Sequence, residues 1–171
     1  MHARDPLGRA VAYAMDMLRQ GAGIADVAER AGLVFSDQIG PHLRHIIEHY
    51  ESFIAGLDQG VIDYDNRSRN RELERDASAA RGRCEELIER YTARLAQPWP
   101  ESLAVVFDGG IAGDDRFVSG STPLRELLFL AGHAVHHYAL LNLVMKQKGL
   151  VLPDSIGKAP ATIRYEREKH A

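Results

Sequence analysis

Six of the eight histidines in this 171-residue chain fall in two short runs, and each run lies within a helical pattern. The first run, "IGPHLRHIIEHY", holds His42, His45 and His49; the second, "LFLAGHAVHHYALL", holds His133, His136 and His137. Spacings of three and four put side chains on one face of a helix. Each helix therefore carries a column of imidazoles. Neutral imidazole is the commonest protein ligand for transition metals, and three of them leave coordination positions for water or substrate. If the two columns face each other, the chain holds a metal site between helices.

The rest of the composition narrows the alternatives. The length fits a single domain over residues 1–171 with a real core. A net charge of -3 argues against a nucleic-acid partner, which calls for a basic excess. Arg67, Arg69 and Arg71 form a local basic stretch, but acidic residues flank it. One cysteine, Cys84, excludes an internal disulfide and a cysteine-rich zinc site, and points to a reducing, cytoplasmic compartment. The N-terminal stretch lacks the long apolar core of a signal peptide or membrane span. The run Leu127 to Leu130 is too short to cross a bilayer, so no membrane association is expected.

Four main helices are predicted. The first runs over 7–20, with Val11, Met15 and Leu18 at helical spacing, Gly21 as its end, and a short helical piece at 24–31. Ser36 or Asp37 caps the second, which carries Ile39, His42, His45, Ile46, His49, Phe53 and Leu57 as a one-sided stripe, with Pro41 in its first turns. Residues 58–75 are polar and aperiodic and read as a long connection. Asp76 caps the third helix, through Ala80, Cys84, Leu87, Ile88, Tyr91 and Leu95, and Pro98 and Pro100 stop it. Residues 101–119 break the pattern, with β-prone stretches at Leu103 to Phe107 and Arg116 to Ser119, and predict a small hairpin or irregular insertion. Thr122 caps the fourth helix, with Pro123 at its first position, and Gly149 follows its end. The tail is punctuated by Pro153, Gly157 and Pro160. The fold class is all-α, a four-helix bundle with that insertion before the last helix.

His133 and His137 are one turn apart in an apolar helix and can bind one ion together. Ala134 follows the first histidine where a zinc protease has its glutamate, which excludes that mechanism. Burying both imidazoles without partners would cost roughly several kcal/mol, and a metal supplies the partner. The bland alternative is a pair of core histidines hydrogen-bonded to backbone or carboxylates. The column on the second helix favours the metal, because a bundle core is where such sites are built. His45 is the first choice for a third ligand, being midway along the stripe, and His49 is next. His136, or a spare histidine such as His49, could act as an acid–base group. Glu48 is either an orienting carboxylate or a solvated face residue. The cluster Asp63, Tyr64, Asp65, Arg67 and Arg69 either staples its connection to the bundle or lines a pocket mouth, and the staple is favoured. Cys84 is read as packing. No nucleophile elbow, phosphate loop or paired di-iron motif is present, and haem between histidines stays open in the absence of a CxxCH sequence.

The segments "SDQIGPHLRHIIEHY", "GVIDYDNRSRN" and "TPLRELLFLAGHAVHHYALL", in that order, resemble the DinB/YfiT-like family, and the closing "GKAPATIRY" is similar to the tail of an uncharacterised branch of it. The resemblance covers most of the chain from about residue 36. It implies an up-down-down-up bundle and a divalent metal, commonly nickel or zinc, bound by one histidine of the second helix and by His133 and His137. The "RHII" run puts His45 in the second-helix slot. The family includes transferases and isomerases that use low-molecular-weight thiols, and many proteins described only as metal-dependent hydrolases. Many members are homodimers.

Three functions are therefore expected to compete. One is a hydrolase-like enzyme acting on a small molecule through an open three-histidine site, the ion serving as a Lewis acid. The second is a thiol-dependent transferase or isomerase on the same site, with Arg44 or the loop arginines holding a charged thiol. The third is a non-catalytic metal-binding or interaction bundle, marked by a site closed to solvent.

Overall fold

The structure is a computed structural model and describes residues 5–169. Helices dominate it. The elements run α1 (Pro6–Arg30), α2 (Phe35–Gly56), β1 (Val61–Asp63), α3 (Arg71–Arg75), α4 (Ala77–Arg94), β2 (Leu103–Gly109), β3 (Asp115–Ser121), α5 (Pro123–Gln147) and α6 (Pro160–Lys169). A mostly helical chain with a small sheet inserted before the last long helix agrees with the sequence reading at that level.

Local chemistry accounts for most of the boundaries. Asp5 accepts from the amide of Leu7, with Pro6 at the first position of α1. Asp76 accepts from the amides of Ser78 and Ala79 at the start of α4. Thr122 accepts from the amide of Arg125 ahead of Pro123. Gly149 follows α5 with φ of 77°, the left-handed conformation that closes helices.

Four expectations are corrected. α1 does not stop at Gly21. It runs on to Arg30 through Gly21, which is a contact point: a side chain there would collide with the Tyr138 hydroxyl that donates to the Met17 carbonyl. α2 has neither Ser36 nor Asp37 as its cap; it starts at Phe35 after Val34, with no side-chain cap, and Pro41 lies inside it. The connection 58–75 is not aperiodic throughout, since it holds β1 and the short α3. The tail is not merely punctuated: Leu152 and Ile156 are buried, and α6 follows.

α1 packs against α4, α5 and α2, and α2 packs against α3, α5 and α4. The core between them is built from Leu18, Ile24, Ile39, Ile46, Tyr50, Phe53, Leu87, Tyr91, Leu130, Tyr138 and Leu141, all buried. Gly40 admits α3 against α2: a Cβ there would overlap the Glu74 carbonyl oxygen. By length and composition α5 could cross a membrane, yet here it packs on α1 and α2 and buries Glu126.

The sheet order is β1-β2-β3. β1 pairs parallel to β2, with Ile62 opposite Val105, and β2 pairs antiparallel to β3, with Phe107 opposite Phe117. Leu103 and Val105 alternate inward to the core. Arg116 ties the three strands together through Asp63 at 2.5 Å and Asp108 at 2.9 Å. The sheet thereby forms a wall beside the N-terminal turns of α5, and this wall bounds the site.

Candidate metal centre

The two histidine columns face each other across the α2–α5 contact. His45 Nε2 lies 3.2 Å from His133 Nε2, and His133 Nε2 lies 3.0 Å from His137 Nε2. His42 Nδ1 lies 2.8 Å from His137 Nδ1. The donor nitrogens of His45, His49 and His133 all fall within 4.8 Å of one another. His136 stands apart. It is exposed, with its ring edge-on to His137 at 5.4 Å between centroids.

The geometry bears on whether these are ordinary core histidines. Such a residue has a carbonyl or carboxylate for its N–H. His49 has one: its Nδ1 donates to the His45 carbonyl at 2.7 Å. The inward nitrogens of His45 and His137 instead each meet His133 Nε2. His133 Nδ1 is buried with no hydrogen-bond partner among the described residues. His133 Nε2 enters two close contacts, but a neutral ring nitrogen carries either one hydrogen or one lone pair. Proton sharing satisfies only one of the two. A divalent ion satisfies all three rings together, since ligands at about 2.0–2.1 Å from one ion hold their nitrogens roughly 3 Å apart. The donor set therefore fits a divalent transition metal.

Two histidines compete to complete the set begun by His45 and His133. His49 Nε2 lies 3.5 Å from Arg67 Nη1, so a cation there would face a guanidinium. His137 Nε2 lies 3.0 Å from His133 Nε2, with no guanidinium contact among the described residues. The chemistry favours His137 as the third donor and leaves His49 beside the cluster.

The electrostatics keep the cluster neutral. Burial, followed by the neighbouring His49, Arg67, His137 and His133, lowers His45 to about 3. Burial, followed by His133 and the other rings, lowers His137 to about 3. Burial lowers His49 to about 4, with Arg67 adding to the effect against the bond to the His45 carbonyl. His42 and His133 are lowered as well, again chiefly by burial. Neutral imidazoles are the form that binds metal. They also set a pH dependence. The unfolded chain takes up protons near pH 6.5, whereas the folded chain refuses them until about pH 3–4. Between those values the unfolded state binds more protons, so the metal-free protein loses stability as pH falls below about 6.5. Urea midpoints of the chelator-stripped protein at pH 7.5 and pH 5 are expected to drop, and the drop should shrink in His45→Gln. An equal drop in the variant would rule out the cluster as its source.

A buried carboxylate places the connection against this cluster. Glu48 accepts from the Asn70 amide at 2.6 Å and from Ser68 Oγ at 3.1 Å, with Arg67 Nε at 3.7 Å. It is neither of the two roles expected for it; it fastens the 64–70 segment to α2. The favoured staple reading of that segment holds for Arg67, while Tyr64 and Asp65 also line a cleft. Arg67 donates to the Tyr64 carbonyl, and the Tyr64 ring stacks on His49 at 5.4 Å.

The cleft, of about 660 Å³, is bounded by the sheet, α2 and α5. His49, Tyr64, Val105, Phe107, Arg125 and Phe129 are among its lining residues. Phe129 also packs on His133, at 5.5 Å between centroids, so the cleft adjoins the histidine cluster. Glu126 lies at its base, fully buried, accepting from Tyr64 Oη at 2.9 Å, from Ser121 Oγ and from Arg125 Nη1 at 2.8 Å. Sequence reasoning missed Glu126 and Arg125. The one available signal was a charged residue directly before the apolar run that starts at Leu127. Arg44, expected as a thiol contact, pairs with Glu74 of α3 instead. Cys84 is buried, and burial pushes its thiol up to about 12, in keeping with a packing role.

No family model and no solved structure matches the chain. It is similar to FK506-binding protein 5 of Rhizopus delemar, 30% identical over 112 residues, which is 64% of this chain and 28% of that protein. The chain thus spans less than a third of the length of that curated relative.

Proposed function

We propose that the chain is a DinB-like four-helix bundle, up-down-down-up, that binds one divalent transition metal, nickel or zinc, through His45, His133 and His137. On this reading it is an enzyme that acts on a small molecule held in the adjoining cleft. The observation that supports it is that His45 Nε2 of α2 and His137 Nε2 of α5 each approach His133 Nε2, at 3.2 and 3.0 Å, with no carboxylate among their contacts in the described residues. Three protein ligands leave a position for a reacting group, which separates catalytic from closed structural sites.

When bound, the ion would supply Lewis acidity to a substrate oxygen or sulfur. The remaining roles fall to the cleft. Val105, Phe107 and Phe129 offer an apolar wall that takes the body of a small molecule and sheds water. His49 donates at Nδ1 to the His45 carbonyl, so its lone pair is at Nε2. Burial and the Arg67 guanidinium hold it neutral, and it lines the cleft, which suits a hydrogen-bond acceptor for a bound molecule and not a strong base. His136, exposed on α5, is less well placed for that task. Hydrolysis is the first reading. Arg125, on the cleft rim with its side chain 63% exposed, favours thiol-dependent transfer as the second, because its charge could hold an anionic thiol.

Protein stripped with chelator and titrated calorimetrically with zinc or nickel is expected to take up one ion per chain. The loaded protein is then assayed for ester hydrolysis and for thiol transfer. Lack of saturable uptake would remove the metal reading. Uptake without turnover in either assay would leave the non-catalytic bundle.

A further inference from the structure

We infer that His42 is a positioning residue that fixes the tautomer and orientation of His137, an inference that rests on the metal site proposed above. The two Nδ1 atoms are 2.8 Å apart, a hydrogen-bond distance, and the rings are tilted by 57° with centroids 5.0 Å apart. A neutral imidazole carries one hydrogen. If His137 Nε2 is the donor to the ion, its hydrogen is on Nδ1. That hydrogen points to His42 Nδ1, which must then present its lone pair and keep its own hydrogen on Nε2. The tautomers of both rings follow from one contact.

A metal-bound imidazole usually donates its second nitrogen to a carboxylate, a carbonyl or water, and loss of that partner typically costs ~10–100-fold in affinity. Here a second histidine stands in that place. It sits on α2, three residues before His45, so α2 supplies both a donor to the ion and the acceptor behind a donor from α5. His133 differs: its Nδ1 is buried without a partner among the described residues. His42 is half-buried, and within the cluster its close contact is to His137 and not to the inward nitrogens of His45 and His133. This accounts for one of the two histidines of the first column that a site of His45, His133 and His137 does not use.

The test is zinc affinity, by competition with a chromophoric chelator, of wild type, His42→Leu, His42→Asn and His137→Ala. His42→Leu removes the acceptor and is expected to weaken zinc binding about 10–100-fold. His42→Asn can offer its amide oxygen near the position of Nδ1 and should recover most of that loss. In the zinc-loaded wild type, two-bond ¹H–¹⁵N correlations should show His137 protonated at Nδ1. Zinc affinity of His42→Leu within twofold of wild type, equal losses in the leucine and asparagine variants, or His137 protonated at Nε2 would each overturn the inference. If His137→Ala binds zinc as wild type does, the metal site itself is wrong, and that failure is distinct from the others.

Discussion

Replacing His137 with alanine is expected to lower zinc affinity by more than about 100-fold, since loss of an outer partner alone can cost ~10–100-fold. His49→Ala, by contrast, should bind zinc within a few-fold of wild type. The contrast follows from where each ring directs its nitrogens. His137 Nε2 lies 3.0 Å from His133 Nε2, on the side of the proposed ion. His49 is spent on the His45 carbonyl at Nδ1 and faces Arg67 at Nε2. The fold should survive His137→Ala, because the ring it deletes is a neutral, half-buried group whose contacts are other histidines. Chelator competition reads the affinity and circular dichroism the fold. The reverse pattern, with His49→Ala losing the ion and His137→Ala keeping it, would assign the third ligand to His49.

The parts of this arrangement that were legible in the sequence are those written within one turn of helix. The pair His133 and His137 is an i,i+4 spacing, and the caps at Asp76 and Thr122 are local hydrogen bonds, so both were visible before any packing was known. The hairpin of β2 and β3 was visible as two β-prone stretches joined by glycines. What escaped depends on distant partners. β1 is three residues long and exists because Ile62 finds Val105 across a parallel ladder, some forty positions on. Gly21 looked like a helix end because glycine often is one; it is buried instead under the Tyr138 hydroxyl, a residue more than a hundred positions away. The roles of Glu48 and His42 were hidden for the same reason. Helical spacing says which face a residue occupies, but not whether an amide, a guanidinium or another imidazole waits opposite.

Glu126 gives the largest expected effect outside the histidines. Glu126→Ala should destabilise the protein by roughly 3 kcal/mol, or about 6–12 °C in Tm for a chain of this size. The carboxylate is fully buried and joins three parts of the chain: Tyr64 after β1, Ser121 at the end of β3, and the first turn of α5. Removing it leaves the Tyr64 hydroxyl buried without an acceptor and opens a void at the base of the cleft. Arg125 moderates the loss, since its exposed guanidinium regains water. Zinc affinity is expected to change little, because none of the converging nitrogens touches this carboxylate. The consequence for chemistry runs through Tyr64. Its ring stacks on His49 at 5.4 Å and is held there by Glu126, so, on the proposed function, the variant should lose turnover at the cleft while keeping the ion. Thermal melts, zinc titration and turnover, measured on one preparation of Glu126→Ala, separate these effects. A Tm within 2 °C of wild type would mean that the sheet is held against α5 by something other than this carboxylate. A large loss of zinc would mean that the cleft and the histidine cluster are more tightly joined than their shared neighbour Phe129 implies.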